Sequence, residues 1–246
     1  MKQDNMMGIP VDALTYEEIL NDVSVYLKNK KKMTAISVNP QIVTEAKKYP
    51  EIVSFIEQST HRIPDGIGIV LVSKLTKGPI TSRIAGIELM TKFLAYANEY
   101  KKRVFFYGAK PEVIADAVKN IQHKYPNLII SGAIDGYTNL TEQEIVSQIN
   151  QEKPDFLFVG LGFPRQEQWL SRNVEQLDVS IFQDVGGSFD VFSGHVKRSP
   201  QFFIDYHLEW LYRSLSNPKR IGRIFQLPVF MWRSLLWKMR KQEGSV

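Results

Sequence analysis

The sequence contains no cysteine. This absence excludes disulfide bonds, a thiolate nucleophile and cysteine ligands for a metal ion. The chain also has no apolar run close to the ~20 residues that a membrane-spanning helix needs, and its N-terminal segment lacks the apolar core of a signal peptide. We therefore expect a cytoplasmic protein without a transmembrane helix.

Sequence motifs for a metal ion or a nucleotide cofactor are missing as well. The four histidines show no metal-ligand spacing, and there is neither a D-x-D pair nor a Walker loop. Gly160 and Gly162 match two glycines of a dinucleotide-binding motif, but Arg165 stands where the third would fall. We therefore expect no cofactor and no metal, and a nucleotide or phosphate ligand held by glycine-rich backbone and side chains.

Most of the chain has no net positive charge, and the excess of Lys and Arg lies near its C-terminal end. Residues 195–246 hold ten Lys and Arg against three Asp and Glu, a net charge of +7. Residues 1–194 hold 21 against 23, a net charge of −2. Three of the four tryptophans also lie in residues 195–246. This shift predicts an α/β core at 1–194 and a basic appendage at 195–246.

Between residues 33 and 194, short apolar runs alternate with segments of helical pattern. The predicted strands are 33–39, 103–110, 128–137, 155–162 and 179–187, while residues 61–69 form a turn-rich junction before another helix. Apolar strands separated by single helices are typical of a parallel sheet covered on both faces. We predict an α/β, Rossmann-like fold with a mostly parallel sheet, helices on both faces and a C-terminal helical basic appendage.

Glycines recur where the predicted strands end. These glycines are Gly108, Gly160, Gly162, Gly186 and Gly187. In sheets of this kind ligands bind beyond the carboxyl ends of the strands, and glycine lets another group approach the backbone closely. The pattern indicates a binding site at this edge. Gly160 and Gly162 could equally form only a tight turn, with Arg165 and Glu167 in solvent.

Four polar residues are candidates for such a site, and each also has an ordinary structural explanation. Asp65 is a candidate general base, but Pro-Asp-Gly is a common turn as well. Ser37 and Asn39 end the first predicted strand, where Asn39 could instead cap the helix that starts at Pro40. Arg83 could bind a phosphate or a sugar carbonyl, or it could be a surface charge.

Seven segments match a known enzyme family in order and spacing. They are "SVNPQIV" (37–43), "PDGIGIV" (64–70), "SRIAGIEL" (82–89), "FFYGAKPEV" (105–113), "GLGFPRQEQWL" (160–170), "DVGGSFDVFSGHVKRSP" (184–200) and "LEWLYRSLSNPKRIGR" (208–223). The chain resembles the WecG/TagA/CpsF glycosyltransferases over roughly residues 7–223, and most of all the TagA/TarA branch. Enzymes of that branch transfer N-acetylmannosamine from its UDP donor to undecaprenyl-diphosphate-N-acetylglucosamine, which makes the linkage disaccharide of wall teichoic acid.

The resemblance implies roles for individual residues. The residues it places in the active site are Ser37, Asn39, Asp65, Arg83 and Gln166. Asp65 would deprotonate the acceptor hydroxyl during an inverting transfer, and Gln166 would bind sugar hydroxyls with support from Glu167. Ser37 stands where the family often has threonine, which keeps the hydroxyl group.

The resemblance also implies how the donor is held. The five glycines at the strand ends would bind it together with Glu167, and Asp190 would accept a hydrogen bond from the uracil or ribose. Asp190 could instead only start a helix. Arg213, Arg220 and Arg223 would neutralise the leaving UDP, on a tail that closes over the donor.

The last part of the appendage mixes bulky apolar residues with cations. Residues 202–215 carry one apolar stripe at helical spacing, which more often packs against a core. Residues 227–241 suit a membrane surface, where aromatic rings and cations meet the lipid headgroups. The residues assigned to this contact are Trp232, Arg233, Trp237, Lys238, Arg240 and Lys241. Nucleic acid would use the same residue types, but the intervening Leu, Met, Val and Phe favour lipid, so no nucleic-acid partner is expected.

The expected partners are therefore UDP-N-acetylmannosamine, undecaprenyl-diphosphate-N-acetylglucosamine and an anionic membrane surface. The expected location is peripheral, on the inner face of the cell membrane. A family member with another donor, UDP-N-acetylmannosaminuronic acid or UDP-glucose, is the alternative enzyme. A basic adaptor for membrane or nucleic acid is the alternative that is not an enzyme. A homo-oligomer is compatible with the sequence.

Overall fold

The computed structural model describes residues 2–206, 208–215 and 226–243. Its strands are β1 (Gln3–Met6), β2 (Ile9–Asp12), β3 (Met33–Val38), β4 (His61–Pro64), β5 (Arg103–Gly108), β6 (Ile129–Ile134), β7 (Phe156–Gly160) and β8 (Ile181–Asp184). β1 and β2 form a separate antiparallel hairpin. The other six strands form one sheet in the order β4-β3-β8-β7-β5-β6, in which all neighbours are parallel.

Helices connect the parallel strands and cover the sheet. They are α1 (Tyr16–Asn29), α2 (Pro40–Glu45), α3 (Pro50–Gln58), α4 (Ile67–Leu75), α5 (Gly86–Glu99), α6 (Pro111–Lys124), α7 (Glu142–Glu152), α8 (Arg165–Asn173), α9 (Ser188–Phe192), α10 (Gln201–Asp205), α11 (Glu209–Leu215) and α12 (Gln226–Glu243). Short 3₁₀ turns follow α2 and α8.

Side chains alternate along the central strands and form a core on each face of the sheet. Phe105 and Leu157 belong to one buried cluster, shared with the hairpin and with α2, α3, α4, α7 and α8. Phe106 and Phe158 belong to the other, shared with α1, α5, α6 and α9. The predicted parallel α/β architecture with helices on both faces is thus confirmed.

Residues 61–69 differ from the sequence-based prediction. They were expected to form a turn-rich junction, but they contain β4 and the start of α4. β4 is an edge strand, and its Arg62 has a buried partner. The backbone N–H and the guanidinium of Arg62 both donate to the carboxylate of Asp12, which is fully buried. Because this partner comes from the distant β2, the local sequence did not indicate a strand.

Helix α12 packs against the first core cluster. Phe230 is fully buried there, and Leu227 lies over Gly68 so closely that a side chain at Gly68 would overlap it. Lys238 Nζ lies 2.6 Å from Asp4 Oδ1 in the hairpin. The C-terminal helix is thus anchored to the α/β core by apolar contacts and an ion pair. Among the helices in the described ranges, none has both the length and the apolar character needed to cross a bilayer.

Candidate active site

A cavity of about 410 Å³ lies at the carboxyl edge of the sheet, where β3, β4, β7 and β8 end. The residues proposed from sequence that line it are Ser37, Asn39, Asp65, Arg83, Gly162, Gln166, Glu167, Gly186 and Gly187. Asp184 and Glu209, which were not among the site residues proposed from sequence, line it too. The fold therefore brings carboxylates, an arginine and two glycine turns around one space.

Asp65 reaches this cavity from the turn after β4. Its backbone N–H donates to the carbonyl oxygens of Val38 (3.0 Å) and Ile63 (2.9 Å). Gly66 follows with a φ of 107°, a conformation that favours glycine. The Pro-Asp-Gly turn is thus real, and it also places the Asp65 carboxylate at the cavity, with 26% of the side chain exposed. A carboxylate in this position can take a proton from a bound hydroxyl group.

Arg83 lies between two carboxylates. Its Nε is 3.4 Å from Asp65 Oδ1, and its Nη2 donates to Glu209 Oε2 at 3.1 Å. Burial lowers the pKa of Arg83, but the charges of Asp65 and Glu209 raise it by more, so the net direction is upward. The guanidinium therefore stays charged and supplies positive charge at the wall of the cavity.

Ser37 and Asn39 lie at the end of β3. The Ser37 backbone N–H donates to Asp184 Oδ1 at 2.8 Å, which ties β3 to β8. Asn39 Oδ1 accepts a hydrogen bond of 3.0 Å from the backbone of Ile42. Asn39 therefore caps α2, with Pro40 at the first position, and lines the cavity as well. The two explanations considered from sequence are compatible.

Gln166 joins the two glycine turns. Its Oε1 accepts hydrogen bonds from the backbone N–H groups of Gly162 (3.2 Å) and Gly186 (3.1 Å). Its Nε2 donates to Glu167 Oε1 (2.8 Å) and Asp184 Oδ2 (3.3 Å). The two backbone donors require the amide oxygen on that side. These four bonds occupy the donors and acceptors of the Gln166 amide within the protein. Gln166 therefore fixes the two glycine turns, and contact with a sugar would require one of these bonds to open.

The carboxyl groups of Glu167 and Asp184 lie buried below the cavity. Burial raises the pKa of Asp184 well above its usual value, and the negative charge of Glu167 raises it further. Burial also raises the pKa of Glu167, although its hydrogen bond from Gln166 opposes this. Both carboxyl groups accept a hydrogen bond from the same Gln166 Nε2. Two buried carboxyl groups that share a site in this way cannot both ionise easily. The pair therefore keeps a proton to higher pH than exposed carboxyl groups do.

The Asp184 carboxyl group should make stability depend on pH. Its pKa in the folded protein lies above the unfolded value of about 3.9, so the folded state binds more protons above that pH. The contribution of this group to stability therefore falls as pH rises. From about pH 4 to pH 8, urea unfolding should show a steeper decrease for the wild type than for Asp184→Asn. Parallel curves for the two proteins would contradict this prediction.

The five glycines do not share one environment. Gly162 and Gly186 have φ values of 76° and 48°, which favour glycine, and both line the cavity. A side chain at Gly108 would overlap the backbone of Gly160, and one at Gly160 would overlap Phe189. Neither Gly108 nor Gly160 is among the cavity-lining residues. Their glycine character is explained by close packing between β5, β7 and α9.

Asp190 and the tail arginines are the remaining residues that were assigned to donor binding. Asp190 is in α9 and does not line the cavity; its carbonyl oxygen accepts a hydrogen bond from the Val196 N–H at 2.9 Å. Arg220 and Arg223 lie outside the described residues, and Arg213 is described only as part of the α11 backbone. The role of all four in binding the donor therefore stays a prediction.

Metal binding was not expected from the sequence. Within residues 2–206, 208–215 and 226–243, no group of three or more His, Asp or Glu side chains could hold a metal ion. Metal-independent transfer nevertheless stays a prediction.

The two cavity residues that sequence reasoning missed had weak signals. Asp184 ends the fully buried strand β8, so a carboxylate in the run "FQDVGG" was a sign of a buried polar site. Glu209 is one of only three acidic residues in the basic segment 195–246. Buried carboxylates need partners, and for both residues those partners are identified only by the structure.

Comparison with known proteins gives a consistent result. Residues 4–244 match the sequence model described as the glycosyl transferase WecG/TagA/CpsF family. The N-acetylglucosaminyldiphosphoundecaprenol N-acetyl-beta-D-mannosaminyltransferase of Bacillus spizizenii is 41% identical over 232 residues, covering 92% of this chain and 90% of that protein. The protein of the same name from Staphylococcus aureus strain MW2 is 35% identical over 231 residues, covering 93% and 91%.

Proposed function

This chain belongs to the WecG/TagA/CpsF family of glycosyltransferases, and we propose that it transfers N-acetylmannosamine from UDP-N-acetylmannosamine to undecaprenyl-diphosphate-N-acetylglucosamine. The observation that carries this proposal is the Asp65 carboxylate beside Arg83 at the carboxyl edge of the sheet. Relatives that match over nine-tenths of their length are named for this transfer. The product is the linkage disaccharide of wall teichoic acid. Relatives of this kind favour a transferase over the basic adaptor that the sequence left open.

The proposed reaction is a single displacement at the anomeric carbon of the donor. Asp65 accepts the proton of an acceptor hydroxyl group, and the oxygen of that group forms a bond to the anomeric carbon. The bond between this carbon and the diphosphate breaks on the opposite face, and UDP leaves. A positioned carboxylate base supplies about 10²- to 10⁴-fold of rate. The configuration at the anomeric carbon is inverted.

Charge on the leaving diphosphate needs cations. Arg83 is half-buried at the cavity and stays ionised, so it can bind a phosphate of the acceptor or donor in addition to pairing with Asp65. We assign Arg213, Arg220 and Arg223 to the leaving group because the resemblance places them there. The contact from α11 to Arg83 supports an appendage, residues 195–246, that reaches the active site.

The donor is proposed to lie against the turns of Gly162 and of Gly186 and Gly187, because glycine has no side chain that would keep a ligand away from the backbone. Gln166 holds these turns, while Ser37 at the end of β3 and Asn39 at the start of α2 line the cavity beside the proposed donor. A UDP-N-acetylmannosaminuronic acid or UDP-glucose transferase would use the same arrangement. Mass analysis of products from the three UDP-sugars with a lipid-diphosphate-N-acetylglucosamine acceptor separates these cases. Efficient transfer of another sugar in preference to N-acetylmannosamine would change the assignment.

The acceptor is attached to lipid, so we infer that the protein works as a peripheral protein on the inner face of the cell membrane. Helix α12 supports this because its two sides differ. The exposed side chains on it include Val229, Trp232, Arg233, Met239 and Arg240. Trp237 instead packs against the core, and Lys238 is paired with Asp4. The proposed membrane contact is therefore the outer face of α12, without Trp237 and Lys238; the side chain of Lys241 lies outside the described part.

Removal of two cations from this face should weaken membrane binding. Each Lys or Arg near an anionic surface is worth about 1 kcal/mol, so Arg233→Gln with Arg240→Gln should bind roughly 30-fold more weakly. Co-sedimentation with vesicles that contain anionic lipid measures the change. Substitutions suit this test better than truncation, since loss of α12 would uncover the contacts of Phe230.

The matched control carries Lys28→Gln and Lys119→Gln. These exposed cations lie on α1 and α6, which cover the other face of the sheet from α12. Binding should change little in the control. Equal losses in both double variants would assign the attachment to net charge rather than to α12.

A further inference from the structure

Glu209 is an acidic residue in a segment that is mostly basic. It begins α11, within the C-terminal fifth of the chain that carries a net charge of +7. Only 5% of Glu209 is exposed, and it lines the same cavity as Asp65. An acidic side chain that is buried in a cavity, rather than solvated on the surface, needs an explanation.

The contacts of Glu209 centre on Arg83. Glu209 Oε2 accepts a hydrogen bond from Arg83 Nη2 at 3.1 Å, while Arg83 Nε lies 3.4 Å from Asp65 Oδ1. The shorter bond is thus the one to α11. Glu209 Oε1 is buried and has no hydrogen-bond partner among the residues that the structure describes. One guanidinium therefore serves two carboxylates from distant parts of the chain.

The sharing of Arg83 between two carboxylates affects how well Asp65 can act as a base. A carboxylate that has an arginine to itself is strongly held in its ionised form, which makes it a weaker proton acceptor. A second carboxylate on the same arginine divides that stabilisation. Among the residues that the structure describes, the other ionisable groups that line the cavity are Asp184 on β8 and Glu167 on α8, which are buried and bound to Gln166. Glu88 and Asp205 line a second pocket together with Arg83. Of Glu167, Asp184 and Glu209, it is Glu209 that bonds directly to Arg83.

We propose that Glu209 is a positioning residue for the transfer reaction, which holds Arg83 so that its charge is shared between Asp65 and α11. Docking of α11 then sets how strongly Asp65 holds its negative charge, and thereby how readily it takes the acceptor proton. Glu209 also fixes the direction of the guanidinium, whose planar geometry allows one carboxylate on each side. This inference rests on the proposed function, since it assigns Asp65 as the base.

The test is the pH dependence of kcat for Glu209→Gln, Glu209→Asp and the wild type. In Glu209→Gln, Arg83 keeps Asp65 as its carboxylate partner, so half-maximal activity on the acid side should move down by roughly one pH unit. The plateau value of kcat should fall by up to about tenfold, because a weaker base accepts the proton less readily. The KM for the UDP-sugar should change little. Glu209→Asp keeps the charge at a greater distance and should lie between the other two.

A purely structural role would lower activity without moving the acid limb. The control is Glu112→Gln, which removes the same charge from the exposed first turn of α6; its profile should match the wild type. Superimposable acid limbs for the wild type and Glu209→Gln would overturn the proposal. If Glu209→Gln does not fold, the acid limb of Glu209→Asp decides, and absence of a downward shift there would overturn it. Failure of the wild type to transfer any sugar would instead overturn the proposed function, and this inference with it.

Discussion

Replacement of Asp65 by asparagine should lower the rate of sugar transfer by at least about 10²-fold. Asparagine has nearly the same shape but cannot accept the proton of the acceptor hydroxyl. The backbone bonds of Asp65 to Val38 and Ile63 do not involve the side chain, so the turn after β4 should persist. The affinity for UDP, measured by calorimetry, should therefore change little while kcat falls.

The control for this variant is Asp178→Asn, which makes the same change at an exposed position just before β8. Its turnover should equal that of the wild type. Near-normal turnover in Asp65→Asn would end the assignment of Asp65 as base. Loss of UDP binding together with turnover would show instead that the carboxylate shapes the donor site.

Replacement of Gln166 by glutamate should damage both folding and catalysis. The amide Nε2 of Gln166 donates to Glu167 and to Asp184, and a carboxylate has no proton to donate there. The variant would thus place a third carboxyl group next to the two buried carboxyl groups of Glu167 and Asp184. Breaking a buried charged contact costs about 3–5 kcal/mol, so we expect a loss of unfolding free energy in that range. The turns at Gly162 and Gly186 should loosen, and UDP affinity should fall with them.

The same substitution at an exposed site separates these effects from a change in net charge. Gln151→Glu lies at the exposed end of α7 and should leave unfolding and UDP binding within experimental error of the wild type. Urea unfolding and calorimetry on both variants provide the comparison. A Gln166→Glu protein as stable as the control would show that the buried pair tolerates a further carboxyl group.

The presence of β7 and β8 was predictable because its signal is local, although the two strands end two and three residues before the predicted 162 and 187. An apolar run that stops at glycine, as in "VGLG" and "DVGG", marks a strand and the turn after it without reference to the rest of the chain. The different roles of the glycines were not predictable in this way. Gly160 is required by the ring of Phe189, whereas Gly162 is required by its own backbone conformation. The first cause lies in tertiary packing, which no local pattern contains.

The polar residues of the cavity were also only partly predictable, because some of them act through residues that are distant in the sequence. Asp65 could be selected because a family motif surrounds it, and Asn39 because it precedes a proline at a helix start. Asp184 and Glu209 act through partners far away in the sequence, Gln166 and Arg83, and their significance appears only when those partners are placed. The charge of α12 was evident from composition, but the pairing of Lys238 with Asp4 was not.

The stereochemistry of the product tests the proposed chemistry most directly. Wild-type protein is incubated with UDP-N-acetylmannosamine and a lipid-diphosphate-N-acetylglucosamine acceptor, and the new glycosidic bond is assigned by NMR. A single displacement with Asp65 as base predicts one added N-acetylmannosamine per UDP released, with the anomeric configuration opposite to that in the donor. A product that retains the donor's configuration would contradict direct attack by the acceptor hydroxyl, and so would inverted product formed at the wild-type rate by Asp65→Asn.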